Sequence, residues 1–214
     1  MEVEIPPSHS LDFLQSSLKS SNKKTPMMLI LDHITDPGNL GTLLRTAAGL
    51  DWNYVYIGPN SVDPFNDKAL RAAKGSTFKI PIIYKEKHEN LLNKLKENSW
   101  EIFVADVKKG KEVNKMFEQL TASNHSNQWN GVALVLGSES SGISTAFDKI
   151  EKRIFLPMSS KIESLNVSAA GAILMEKFQY ILNKESLQYF IVTIFRTILV
   201  RTIIGNVRLL FRYR

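Results

Sequence analysis

The sequence predicts an α/β protein built on a mainly parallel sheet, and three observations carry that expectation. Runs that are apolar at nearly every position recur along the chain, such as Met28–His33 (MLILDH) and Gly131–Leu136 (GVALVL). Such runs mark strands buried on both faces. Segments with helical spacing of apolar residues alternate with them, as a parallel sheet requires. Turn residues, Asp36-Pro37-Gly38 and Gly58-Pro59-Asn60 among them, separate the two kinds.

The elements follow in order. Residues 1–24 form a short lead-in, with one helix expected around Leu11–Leu18. The acids Glu2 and Glu4 and the lack of an apolar core segment argue against a secretory signal, and the lack of arginine against a transit peptide. Strands are expected at Met28–His33, Tyr54–Ile57, Lys79–Ile83, Glu101–Ala105, Gly131–Leu136 and Arg153–Leu156. Helices are expected at Leu40–Leu50, Asn66–Lys74, His88–Asn98, Glu112–Leu120, Thr145–Ile150 and Leu165–Leu182, and Thr121–Asn130 reads as a polar loop. Residues 185–214 are an atypical basic, apolar tail. Arg196 and Arg201 interrupt its apolar run, and a charge at the centre of a membrane helix costs about 2.5–3.5 kcal/mol. Contact of the tail with a membrane is therefore disfavoured. It reads first as a segment foreign to the fold, and otherwise as an interfacial or dimer-packing segment.

Composition excludes several chemistries. The 214 residues contain no cysteine, which removes disulfides, thiolate metal sites and a cysteine nucleophile. The four histidines, His9, His33, His88 and His125, have no metal-ligand spacing. The net charge of +6 suggests a polyanionic partner, but residues 186–214 supply five arginines and no acid, so residues 1–185 carry only +1.

Ligands in open α/β sheets bind beyond the carboxyl ends of the strands. Three such ends carry unusual residues. The first is Asp36-Pro37-Gly38-Asn39-Leu40-Gly41, with Arg45 six residues beyond Asn39 on the following helix. Asn39 could cap that helix, and Arg45 could be a solvated helix residue. The second is Leu136-Gly137-Ser138-Glu139-Ser140-Ser141-Gly142-Ile143. Its glycines are spaced as in a phosphate loop, but Ile143 stands where that motif needs lysine. Ser138 stands where a nucleophile elbow centred on Ser140 needs glycine. What remains is a glycine-framed loop with one carboxylate, Glu139. The third runs from Leu156-Pro157-Met158 to Ser164-Leu165-Asn166-Val167-Ser168, where Ser164 or Asn166 could cap the last helix.

Taken in order, these three loops resemble motifs 1, 2 and 3 of the SpoU/TrmH family of RNA 2′-O-ribose methyltransferases, in the SPOUT superfamily. The resemblance covers about residues 27–182, and Asp63–Arg71 is similar to plant-type or organellar members. It implies a C-terminal deep trefoil knot within a methyltransferase domain of residues 27–184, a homodimer, and S-adenosylmethionine held in the knot by Leu136, Gly137, Leu156, Met158 and Leu165. It implies methyl transfer to a ribose 2′-hydroxyl of tRNA or rRNA, without a metal. By match, Arg45 orients the ribose phosphate, Asn39 and Glu139 position Arg45 and the substrate, and Ser164 and Asn166 line the site. Arg45, Lys68, Arg71 and Lys74 are candidate RNA contacts. Many members carry an N-terminal RNA-binding domain, which residues 1–26 do not supply, so that domain is expected to be absent or truncated. The expected compartment is an organelle or the cytoplasm rather than the secretory route. The alternative is a non-catalytic RNA-binding or ribosome-assembly factor on the same knot.

Overall fold

A computed structural model of the chain describes residues 5–12, 25–122, 129–138 and 142–182. Their core is one seven-stranded sheet. The strands are β1 (Met27–Leu31), β2 (Tyr54–Ile57), β3 (Ile82–Tyr84), β4 (Trp100–Ala105), β5 (Lys111–Glu112), β6 (Gly131–Leu136) and β7 (Arg153–Phe155). Their order across the sheet is β3-β2-β1-β6-β4-β7-β5, and each neighbouring pair is parallel. The helices are α1 (Pro37–Gly49), α2 (Asp67–Ala73), α3 (His88–Glu97), α4 (Val113–Ala122) and α5 (167–182).

The two central strands read as continuous apolar runs because both faces are covered. Side chains alternate between faces along a strand. Met27, Leu29 and Leu31 pack with α1, α4 and α5, whereas Met28 and Ile30 pack with Leu91 and Leu95 of α3 and with Phe147. Phe178 anchors α5 from below, with edge-on contacts to Phe117 and Phe103 at centroid separations of 4.8 and 5.0 Å. Two close approaches fix helices by the absence of a side chain. A Cβ on Gly41 of α1 would strike the backbone of Ala69 in α2, and one on Gly171 of α5 would lie 2.6 Å from both Leu43 and Leu136.

The position of β7 is the topological feature that matters. It sits between β4 and β5, which are successive strands joined by the loop 106–110. That loop straddles β7 closely, since a Cβ on Gly110 would lie 2.7 Å from the carbonyl carbon of Ile154. Arg153 ties strand to loop. Its Nη1 donates to Asp106 Oδ2 at 2.8 Å and its Nη2 to the Phe147 carbonyl at 2.8 Å. Beyond β7 the chain returns to pack α5 against Leu43 and Leu136, on the far side of β4. This places β7 between two strands that precede it in the chain.

Several expectations need correction. The strand expected at Lys79–Ile83 begins only at Ile82. Pro81 has no N–H for the ladder, and Ser76–Phe78 is a 3₁₀ turn. The helix expected at Thr145–Ile150 is a single 3₁₀ turn at Thr145–Phe147, with Asp148 N donating to Thr145 O and Ile150 N to Phe147 O. The strand β5 has two residues, too few to give a periodic signal. Leu11 and Asp12 form a turn, and the rest of the helix expected at Leu11–Leu18 lies outside the described residues. So does the whole tail, and no helix among the described residues is long and apolar enough to cross a membrane.

Candidate functional site

The carboxyl ends of β6, β4 and β7 border a cleft of about 620 Å³. Leu136 and Gly137 enter it from β6, Leu156 and Met158 follow β7, and Ser164 and Leu165 lead into α5. These are six of the residues singled out in the second and third loops, brought onto one wall. Val167 and Leu174 of α5 and Ile143 add apolar surface, and Ala105–Lys109 also line the cleft. An apolar cleft edged by free-standing loop backbone suits a ligand with a planar, hydrogen-bonding ring.

The loop after β6 is closed at its base. Ser138 N donates to Gly142 O at 3.1 Å and Gly142 N to Ser138 O at 2.9 Å. Gly142 has φ +69°, a left-handed conformation that favours glycine. Gly137 has no room for a side chain, because a Cβ there would sit 2.5 Å from both Gly142 O and Ile143 Cγ1. Glu139, at the tip, lies outside the described residues.

A buried carboxylate holds the far end of this loop. Asp32 follows β1 and is fully buried, and its Oδ2 accepts a 2.6 Å hydrogen bond from Ser144 N. Its Oδ1 lies 3.1 Å from His88 Nε2 at the start of α3, a close polar contact. The His88 ring is wedged between Tyr56 and Phe147. Burial alone pushes the Asp32 carboxyl up. The His88 contact and the Ser144 N–H outweigh that and hold it below the ordinary carboxylate range. Asp106 behaves similarly. Burial raises its carboxyl, but the Lys109 and Lys108 N–H groups and Arg153 bring it lower, which fixes the loop on the other side of the cleft.

The first and third loops meet directly. Asp36, not Asn39, caps α1, accepting from Asn39 N at 2.8 Å. The Asn39 side chain is thereby left for another task, and its Oδ1 accepts from Asn166 Nδ2 at 3.0 Å. Asn166 also caps α5, its Oδ1 accepting from Ser168 N at 2.9 Å. Two loops 127 residues apart are thus joined beside Leu165 and Val167 at the edge of the cleft.

Arg45 is not brought into this group. It lies about 9 Å along α1 from Asn39 at the helical rise, is exposed, and does not line the cleft. Of the other candidate RNA contacts, Lys68 pairs with Asp36 at 3.2 Å and Arg71 with Asp67 at 2.8 Å, so each is partly neutralised. Lys74 is exposed and caps α2 in a left-handed conformation. Sequence reasoning missed Asp32, His88 and Asp106. Asp106 and Asp32 had a signal, since they follow the carboxyl ends of β4 and β1 just as the three chosen loops follow theirs. The contact of Asp32 with His88 had none, because it joins residues from β1 and α3 that no local pattern connects.

The model of the SpoU rRNA Methylase family matches residues 26–176. Curated relatives include the 23S rRNA (guanosine(2553)-2′-O)-methyltransferase RlmP of Bacillus subtilis, 32% identical over 149 residues, which cover 69% of this chain and 56% of that protein. The mitochondrial rRNA methyltransferase 3 of Mus musculus is 28% identical over 190 residues, which cover 70% and 45%. The chain therefore spans about half the length of these relatives. Among solved structures, the SpoU methyltransferase AviRb from Streptomyces viridochromogenes in complex with the cofactor AdoMet matches with a TM-score of 0.66 at 19% identity, covering 84% of this chain and 66% of that one. That likeness shows a shared fold.

Proposed function

Since the chain belongs to the SpoU rRNA methylase family, we propose that it is an S-adenosylmethionine-dependent methyltransferase acting on a ribose 2′-hydroxyl in rRNA or tRNA. The observation that carries this reading is the cleft itself. Leu136, Gly137, Leu156, Met158 and Leu165 line it together, and the Asn39–Asn166 bond lies beside its lining residues Leu165 and Val167. The residues fit the cofactor. The apolar side chains would enclose its adenine, and the loop backbone at Gly137, which tolerates no Cβ, would approach it closely. Bound there, S-adenosylmethionine supplies an electrophilic methyl group.

The work left to the protein is positioning and charge. The 2′-hydroxyl must lie about 3–3.5 Å from the methyl carbon and in line with it. Asn39 and Asn166 fix each other, and in this reading they and Ser164 hold the ribose. Arg45 steers the adjoining phosphate through its guanidinium. Because Arg45 stands outside the cleft of its own chain, it reaches the ribose only in the assembled complex with RNA. A homodimer fits this reading. Ile173 and Tyr180, 43% and 60% exposed, are seven residues apart on α5 and present an apolar stripe that a second copy would cover.

Two experiments test the proposal. Mapping 2′-O-methyl sites in RNA with and without the gene should show at least one position that loses its mark. If none does, the chain is a non-catalytic RNA-binding or assembly factor on the same fold. Gly137→Ala should weaken S-adenosylmethionine binding about 5- to 150-fold by calorimetry, the effect of about 1–3 kcal/mol of overpacking. Unchanged affinity would remove the cofactor from this cleft.

A further inference from the structure

A second, smaller cleft lies at the β3 edge of the sheet, away from the cofactor wall. Its volume is about 190 Å³, and Phe65, Phe78, Tyr84, Pro81, Thr77 and Pro6 line it. The aromatic rings form a connected set. Phe65 lies 6.1 Å from Phe78 and 5.6 Å from Tyr84, centroid to centroid. Phe78 is 49% exposed, although it belongs to a 3₁₀ turn packed on the core beside buried Thr77 and Ile80. A large ring left half in water next to a cleft has a face available for stacking.

A further observation, the local charge, points to a ligand. Residues 65–87 hold Lys68, Arg71, Lys74, Lys79, Lys85 and Lys87 against Asp67 and Glu86, a net +4, while the rest of residues 1–185 sum to −3. Lys74, Lys79, Lys85 and Lys87 are exposed, and Lys85 Nζ stands 5.2 Å from the centre of the Tyr84 ring. The lead-in completes the wall. His9 N donates to Ile82 O at 3.0 Å, Ser8 Oγ to Tyr84 O at 2.9 Å, and Tyr84 Oη to Pro6 O at 3.0 Å.

We infer that this cleft takes one unpaired nucleobase of the RNA substrate, stacked on Phe78, with the surrounding lysines on the neighbouring phosphates. The inference rests on the reading that the chain acts on RNA. An exposed aromatic in a cationic surround is the usual platform for single-stranded nucleic acid, because every base has a face to stack.

The test uses the full chain and fluorescein-labelled oligouridylate and oligoadenylate single strands, with binding followed by anisotropy across a salt series. Phe78→Ala should weaken binding about 5- to 150-fold, the worth of one stacked base, while S-adenosylmethionine affinity stays at the parent value. Lys79→Ala and Lys85→Ala should each lower the salt slope by about 0.7. Parent-like RNA affinity in Phe78→Ala overturns the cleft, and so does a parent chain that binds neither strand. The two readings separate on methyl transfer. If the parent methylates RNA and Phe78→Ala does so with the same KM, the cleft falls and the enzyme stands. If Phe78→Ala loses RNA binding but the parent methylates no RNA, the cleft stands and the enzyme falls.

Discussion

Replacing Arg45 with alanine should reduce methyl transfer to RNA about 10²- to 10³-fold while leaving S-adenosylmethionine affinity unchanged. The magnitude is that of removing one positioned donor from the charge developing at a reaction centre. The split between the two readouts follows from the structure. Arg45 is exposed on α1 and contributes nothing to the wall formed by Leu136, Leu156 and Leu165, so its loss leaves that wall intact. Arg45→Lys should recover little, since an ammonium cannot reproduce the planar fork of a guanidinium on a phosphate. Single-turnover methyl transfer beside cofactor calorimetry provides the check. Parent-like transfer by the alanine variant would falsify the assigned role.

Asp32→Asn should destabilise the fold by about 2–3 kcal/mol near neutral pH, the worth of hydrogen bonds to a buried charge. Asparagine keeps the shape but loses the charge that His88 and the Ser144 N–H both face. The pH dependence has a definite sign. The Asp32 carboxyl is held below its ordinary value in the fold, so the unfolded chain binds the proton more readily. The stabilisation is complete above the unfolded carboxyl range near 4 and is lost as the pH falls below it. Urea unfolding of the parent should weaken on acidification below about pH 4, and the variant should weaken less. Because Ser144 follows the loop that forms one edge of the cofactor cleft, the variant should also bind S-adenosylmethionine less well at neutral pH. Equal acid sensitivity in the two proteins would remove Asp32 from this role.

The parallel sheet was legible in the sequence because its central strands are apolar at every position. Both Gly131–Leu136 and Tyr54–Ile57 were read with the bounds they have. That Leu136, Gly137, Leu156, Met158 and Leu165 line one cleft was legible because the rule about strand ends and the three motifs pointed to the same loops. Less was legible where a residue acts across the fold. Asn39 looked like a cap, and only the structure reveals that Asp36 takes that task and frees Asn39 for Asn166. The buried pair of Asp32 and His88 is a contact between separate elements with no local pattern. The lead-in looked inert, yet Pro6–His9 bond to the β3 edge through Ser8 and Tyr84.

The insertion of β7 between β4 and β5 also has a kinetic side. β7 pairs with β4 and with β5, so that end of the sheet is complete only when segments well separated along the chain have met. The Leu156–Leu165 side of the cleft follows β7 and the Leu136–Gly137 side follows β6, so the cleft rests on the same distant meetings. Contacts of that kind must meet their loop-closure cost before they are made, which slows folding, and the cleft should be among the later parts to take shape.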